Sequence, residues 1–344
     1  MNKSRTYFLD LLRIAACFLV IVNHTNSVIF LSTTPEHIRW FISITYFFIS
    51  KIAVPVFFMI SGYLLLNKVD NWSKTLIRVL RMVVVLFACA VVYSLYKELF
   101  LNDSFSAQSL INNILSAYKN SPTNALWYLY TYIGILLMLP FLQKLACAMN
   151  KKDYHVFFII SGFFISVFPI LQHYIKGLSL NSNFFIPIFS GYICVLFVGQ
   201  YFSRFGVAKS KSGFFIAALT FVVTVSFNVI ATYFEYQKSN TGYLFYDNRN
   251  FLPIILGAAC VFYMASFLKV TANFGKVVSY IGSCTFGIYL ISDLFINILK
   301  PHYYTLATLI HPLVAVLIFE ICVFISGFAL TAMLRLIPVV KKYL

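Results

Sequence analysis

The chain has 344 residues, of which 61% are hydrophobic and only 10% charged, with a formal net charge of +16. A soluble domain carries about 25% charged residues, so the composition excludes a soluble globular protein and defines a polytopic membrane protein. No hydrophilic segment is long enough to fold by itself, and residues 1–344 read as one membrane domain.

Apolar runs of about 20 residues mark bilayer-crossing helices. Taken in chain order they fall at residues 8–30, 43–66, 79–101, 125–146, 154–175, 184–203, 213–234, 251–268, 280–299 and 311–337, an all-α bundle of ten spans. The sixth is short and holds Pro187, and the last is longer than one crossing needs. Lys3 and Arg5 precede a run that is too long for a cleaved leader and has no small-x-small site at its end, so the N-terminus reads as a signal anchor. With both termini cytoplasmic, inner segments collect seventeen Lys and Arg residues. The outer segments and outer helix ends hold eight, Lys51 among them. That bias follows the positive-inside rule and places the protein in a cell membrane. Because the basic residues are spread over many short segments, the net charge calls for no nucleic-acid partner. The seven cysteines lie scattered, mostly within spans, with no CxxC pair, and read as packing residues; no zinc-ligand spacing is present.

The first span carries the most informative residues. Arg13 and His24 sit in an otherwise apolar run, where an ionisable group costs several kcal/mol unless it faces a partner or a water-filled cavity. Eleven residues at 100° each leave the two about 20° apart around the helix and about 16 Å apart along it. They share a face with Asp10 and Cys17. Further on come Val54-Pro55-Val56-Phe57-Phe58-Met59-Ile60-Ser61-Gly62-Tyr63 in the second span and Arg78-Val79-Leu80-Arg81 at the inner start of the third. Leu126-Trp127-Tyr128-Leu129-Tyr130 opens the fourth at its outer end.

These four motifs, in this order, resemble the acyltransferase 3 family of integral membrane acyltransferases. The Val-Pro-x-Phe-Phe-Met-Ile-Ser-Gly-Tyr form is most similar to its single-domain, WecH-type O-acetyltransferases. The resemblance implies transfer of an acyl group, often acetyl from acetyl-CoA as co-substrate, to a hydroxyl of a glycan or lipid-linked sugar at the outer face. It implies that His24 is the catalytic base, where an imidazole can take a hydroxyl proton; a packing role is the alternative for a lone membrane histidine. Arg78 and Arg81 are expected to bind the acyl-CoA phosphates, or else only to report topology. Arg13 either meets the donor or pairs with Asp10. Ser61 and Gly62 either admit the pantetheine arm or pack helices. Trp127 and Tyr128 either stack on the acceptor sugar or belong to the aromatic belt. His37, His155, His173, His302 and His311 lie in or beside loops and are given no role.

One position departs from the family pattern. The Gly287-Ile288-Tyr289 run of the ninth span is followed by Ser292-Asp293, where relatives commonly have a histidine. Asp293 is therefore a second candidate catalytic residue, ahead of Glu320 among the membrane acids. Two other classes compete with an acyltransferase: a transporter or flippase for lipid-linked sugars, and a non-catalytic membrane partner. The topology itself has a direct test. A cysteine at Ser104 should label from outside intact cells and one at Ser210 only after permeabilisation; labelling of both from one side overturns the span count.

Overall fold

The computed structural model describes residues 7–26, 29, 32–102, 105–181, 191–206, 209–239 and 251–344. Over these residues the chain is helical, with no strand. Helix α1 (Tyr7–Thr25) is followed by α2 (Ile38–Ser50), α3 (Ala53–Leu65), α4 (Trp72–Phe100) and a short α5 (Ala107–Leu115). A 3-10 turn (Asn124–Leu126) leads into α6 (Trp127–Ala148). Helix α7 (Lys151–Gly162) runs through a π-helical stretch (Phe163–Val167) into α8 (Phe168–Tyr174). Then come α9 (Gly191–Phe205), α10 (Lys211–Ser239), α11 (Leu252–Ala265), α12 (Ala272–Leu309), α13 (Pro312–Leu334) and a last short turn, α14 (Pro338–Lys341).

Eight helical stretches among the described residues are long and apolar enough to cross a membrane. The sixth and eighth expected spans correspond to α9 and α11, which are 15 and 14 residues long. Pro187, Ser104, Tyr243 and Tyr246 lie outside the described residues. Tyr233 and Tyr236 of α10 pack on Trp40 of α2.

Two boundaries differ from the sequence reading. The ninth expected span, α12, does not stop at residue 299 but continues through Pro301 to Leu309. At 1.5 Å per residue, 38 residues span about 57 Å, well beyond a hydrocarbon core of about 30 Å. The second crossing begins at Ile38 rather than residue 43, and is two consecutive helices interrupted at Lys51 and Ile52. The cause of its break is Pro55, which has no N–H to donate to the carbonyl of Lys51, four residues back. Lys51 therefore stands at a bend midway along a 28-residue crossing and not at an outer helix end, a correction to the charge count above.

The main apolar core joins α1, α3, α4, α6, α9 and α11. Its tightest seam lies between α3 and α9. A Cβ on Gly62 would fall 1.8 Å from the carbonyl oxygen of Leu196, and one on Gly199 would fall 1.9 Å from that of Met59. The two backbones touch, as small residues permit where hydrophobic solvation cannot drive helices together. Gly62 is thus a packing residue, while Ser61 beside it turns to a cavity described below. Gly62→Ala and Gly199→Ala should each destabilise the protein by about 1–3 kcal/mol or more through overpacking. Thermal unfolding in detergent measures this, with Gly134→Ala, which meets nothing within 4 Å, as the unaffected control.

Candidate functional site

A cavity of about 320 Å³ opens between α1, the α2–α3 bend, α4, α6 and α12. Helix α1 contributes Arg13, Val20, Asn23 and His24; the bend and α3 contribute Ser50, Lys51, Phe57 and Ser61; α4 contributes Arg81. Trp127, Tyr128 and Tyr132 line it from α6, and Thr285, Phe286 and Tyr289 from α12. Arg13 and His24, separated by ten residues, thus open on one space, as their common helix face requires. Six of the expected site residues meet here: Arg13, His24, Ser61, Arg81, Trp127 and Tyr128. Its lining includes the basic residues Arg13, His24, Lys51 and Arg81 and the C-terminal residue Leu344, with no Asp or Glu side chain among the described residues.

Two carboxylates hold α1 at its ends. Arg13 Nη1 donates to Asp10 Oδ1 at 2.6 Å, and Ser279 Oγ of α12 donates to Asp10 Oδ2 at 2.9 Å. The pairing with Asp10 and a cavity-facing position are therefore both true of Arg13. At the other end, Thr25 Oγ1 donates to Glu320 Oε1 at 2.6 Å, and Tyr46 OH donates to Glu320 Oε2 at 2.8 Å. Glu320, fully buried on α13, grips the residue next to His24. Cys17 is buried with its thiol directed to the carbonyl of Thr285, outside the cavity lining.

The aromatic residues of the fourth motif turn inward rather than to a lipid belt. Tyr128 stacks on Tyr132 with centroids 5.8 Å apart and packs on Phe58 at 4.8 Å. Trp127 leans on Tyr192 of α9 at 5.7 Å. Tyr289 OH donates to the carbonyl of Ala125 at 2.7 Å, tying α12 to the turn before α6.

Two expected residues do not reach the cavity. Asp293 lies one turn beyond Tyr289, and the lining from α12 ends at Tyr289. The Gly-Ile-Tyr run thus brings its tyrosine to the cavity and not the polar residue that follows. Arg78 is engaged elsewhere: Arg78 Nη1 donates to Asp70 Oδ2 at 2.6 Å, and Lys74 Nζ donates to Asp70 Oδ1 at 2.8 Å. Gln143 of α6 completes the cluster, accepting from the Asp70 backbone N–H at 2.8 Å and donating to the Leu65 carbonyl at 2.8 Å. Of the RxxR pair only Arg81 faces the cavity; Arg78 clamps the start of α4 to α3 and α6.

The sequence reading also passed over cavity residues. Lys51 is only 5% exposed, with Nζ 4.0 Å from the centre of the Phe47 ring. The signal is in the sequence, an ionisable residue inside an apolar run; a span that begins at residue 43 puts Lys51 near its outer end. Asn23 lines the cavity with its Oδ1 buried and without a hydrogen-bond partner among the described residues. Tyr132 follows Tyr128 by one helical turn, the spacing of one face.

An all-helical membrane fold holds a cavity lined by several cationic side chains. Its family is known: the model of the acyltransferase 3 family, described as an acyltransferase domain, matches residues 6–335. The chain belongs to that family and is a membrane acyltransferase. No curated protein and no solved structure matches it.

The Asp70 cluster makes a pH prediction. Burial opposes ionisation of Asp70, but hydrogen bonds from Lys74, Arg78 and Gln143 and the charge of Arg78 outweigh it, holding the carboxyl below the usual carboxylate range. A depressed acid stabilises the fold above its unfolded pKa of about 4 and loses that contribution as pH falls through the folded value. Asp70→Asn should therefore lower the melting temperature at pH 7, and the gap to wild type should narrow progressively below about pH 4.

Proposed function

We propose that this acyltransferase moves an acyl group, acetyl in the simplest case, from cytosolic acyl-CoA to a hydroxyl of a cell-envelope glycan or lipid-linked sugar on the outer face of the cell membrane. The observation that carries this reading is that Arg13, Arg81 and His24 open on one cavity, with both arginines available to an anion and an imidazole at the far end of α1. The axial distance of about 16 Å between Arg13 and His24 is comparable to a pantetheine arm. In this reading Arg81, with Arg13, holds the phosphates of the donor through charge-assisted hydrogen bonds. The arm runs past Ser61, and the thioester comes to rest near His24.

His24 acts as general base. It takes the proton of the acceptor hydroxyl as the oxygen attacks the thioester carbonyl. Trp127 and Tyr128 give the acceptor sugar apolar ring faces. The unpartnered Oδ1 of Asn23 offers an acceptor for a substrate O–H or N–H, and satisfying it on binding removes the penalty of a buried polar atom. The WecH-type form of the second-span motif supports acetyl as the group moved and a sugar hydroxyl as its destination.

Purified protein in nanodiscs, supplied with acetyl-CoA and extracted envelope glycan, tests this reading, with acetylated product read by mass spectrometry. His24→Gln should lower turnover by about 10²–10⁴ while leaving CoA affinity within threefold, since an amide cannot take the proton. Arg81→Ala should weaken CoA binding about tenfold or more, as loss of a charge-assisted contact. Arg78→Ala should cost thermal stability instead. Near-normal turnover by His24→Gln removes histidine from the chemistry, and CoA affinity unchanged in Arg81→Ala removes the donor site.

A further inference from the structure

Lys51 is the cation in this cavity that the proposed roles leave unused. Its place along the cavity follows from the register of α1 against the α2–α3 crossing. Asn26 and Ser43 hydrogen-bond each other, and Phe8 meets Tyr63 edge-on with ring centroids 6.0 Å apart. The two elements are therefore antiparallel, and Lys51 comes level with Leu19 and Val20. Val20 lines the same cavity. Lys51 thus stands about 7 Å along the axis from His24, on the side toward Arg13. The bend imposed by Pro55 fixes it there, and the Phe47 ring lies against its ammonium group.

A buried lysine in a membrane span is costly and is a functional candidate by default. Resting on the acyl-CoA reading above, we propose that Lys51 is a catalytic residue whose ammonium group binds the sulfur of the departing CoA thiolate. The donor reaches His24 from the arginine end, so its sulfur lies on the Arg13 side of the carbonyl carbon and the acceptor on the His24 side. A cation between the two faces the sulfur. As the acceptor oxygen bonds to the carbonyl carbon, its proton passes to His24. The carbonyl electron pair moves onto oxygen and returns as the carbon–sulfur bond breaks, leaving the bonding pair on sulfur. Lys51 stabilises that thiolate where bulk water is scarce, and a fixed charge there needs no reorganisation. The proton on His24 then returns to the thiolate, and CoA leaves as the thiol.

The test uses CoA and desulfo-CoA, which lacks the sulfur, bound to the full-length protein in nanodiscs and followed by calorimetry at pH 8.5. Wild type should prefer CoA by about tenfold, the strength of a charge-assisted contact. Lys51→Met should reduce that preference to under twofold, and Lys51→Arg should keep most of it. Lys51→Met should also lower kcat by about 10²–10³, the loss typical of one charge-stabilising donor, with KM for acetyl-CoA within threefold. A sulfur preference retained in Lys51→Met overturns the assignment, as does a wild type that binds both ligands equally, a result that needs no variant to fold. If wild type binds neither ligand, the donor reading itself fails and the lysine assignment falls with it. Turnover with an intact preference in Lys51→Met removes Lys51 alone.

Discussion

No ionised side chain stands in the hydrocarbon of a bilayer without a partner or an aqueous space, and this constraint organises the bundle. Asp10 is partnered by Arg13 and by Ser279 of α12. Glu320 is partnered by Thr25 and Tyr46. Lys51, His24 and Arg81 instead open on a common cavity. The acids are turned into helix-to-helix ties, and the bases line the cavity. Cationic side chains gathered on one cavity raise its affinity for anions.

The second-span motif has several separate physical meanings packed into ten residues. Pro55 breaks the backbone ladder at Lys51 and sets that lysine at a bend. Phe57 lines the cavity, while Phe58, buried, supports the Tyr128 ring that also lines it. Ser61 faces the cavity with its hydroxyl donating to the Phe57 carbonyl at 3.0 Å. Gly62 lets the backbone of α9 touch α3. No one of these residues can be exchanged for the next, because successive positions on a helix point 100° apart.

Much of this was legible in the sequence. Composition and hydropathy define a helical membrane bundle, and the eleven-residue step from Arg13 to His24 predicts their shared face, since both follow from helix geometry alone. What was not legible depends on neighbours. Arg78 and Arg81 look equivalent in sequence. Asp70, buried beside Gln143, captures the first, and only a tertiary contact between the α3–α4 turn and α6 makes that so. Asp293 and Tyr289 lie four residues apart on α12, yet the cavity lining ends at Tyr289. Lys51 was misread because the hydropathy of α2, with Arg39, Trp40 and Tyr46, falls below a strict apolar threshold, which moved the expected start of the span and made an interior residue look terminal.

Arg13 and His24 stand near the two ends of α1 and open on one cavity, and a single helix links them rigidly. Rigidity along the axis is intrinsic to a hydrogen-bonded helix, but rotation about it is not. A turn of 100°, the step of one residue, would swing both side chains out of the cavity together. The interior of a bundle lined by Leu and Ile offers little resistance to such a slip, because apolar surfaces are interchangeable. The polar ties at Asp10 and Thr25 are not interchangeable. Each bond has a fixed partner on another helix, Ser279 on α12 and Glu320 on α13, and breaking either leaves a buried carboxylate short of a donor. The buried acids therefore fix the rotational setting of α1, and through it the direction in which Arg13 and His24 face the cavity.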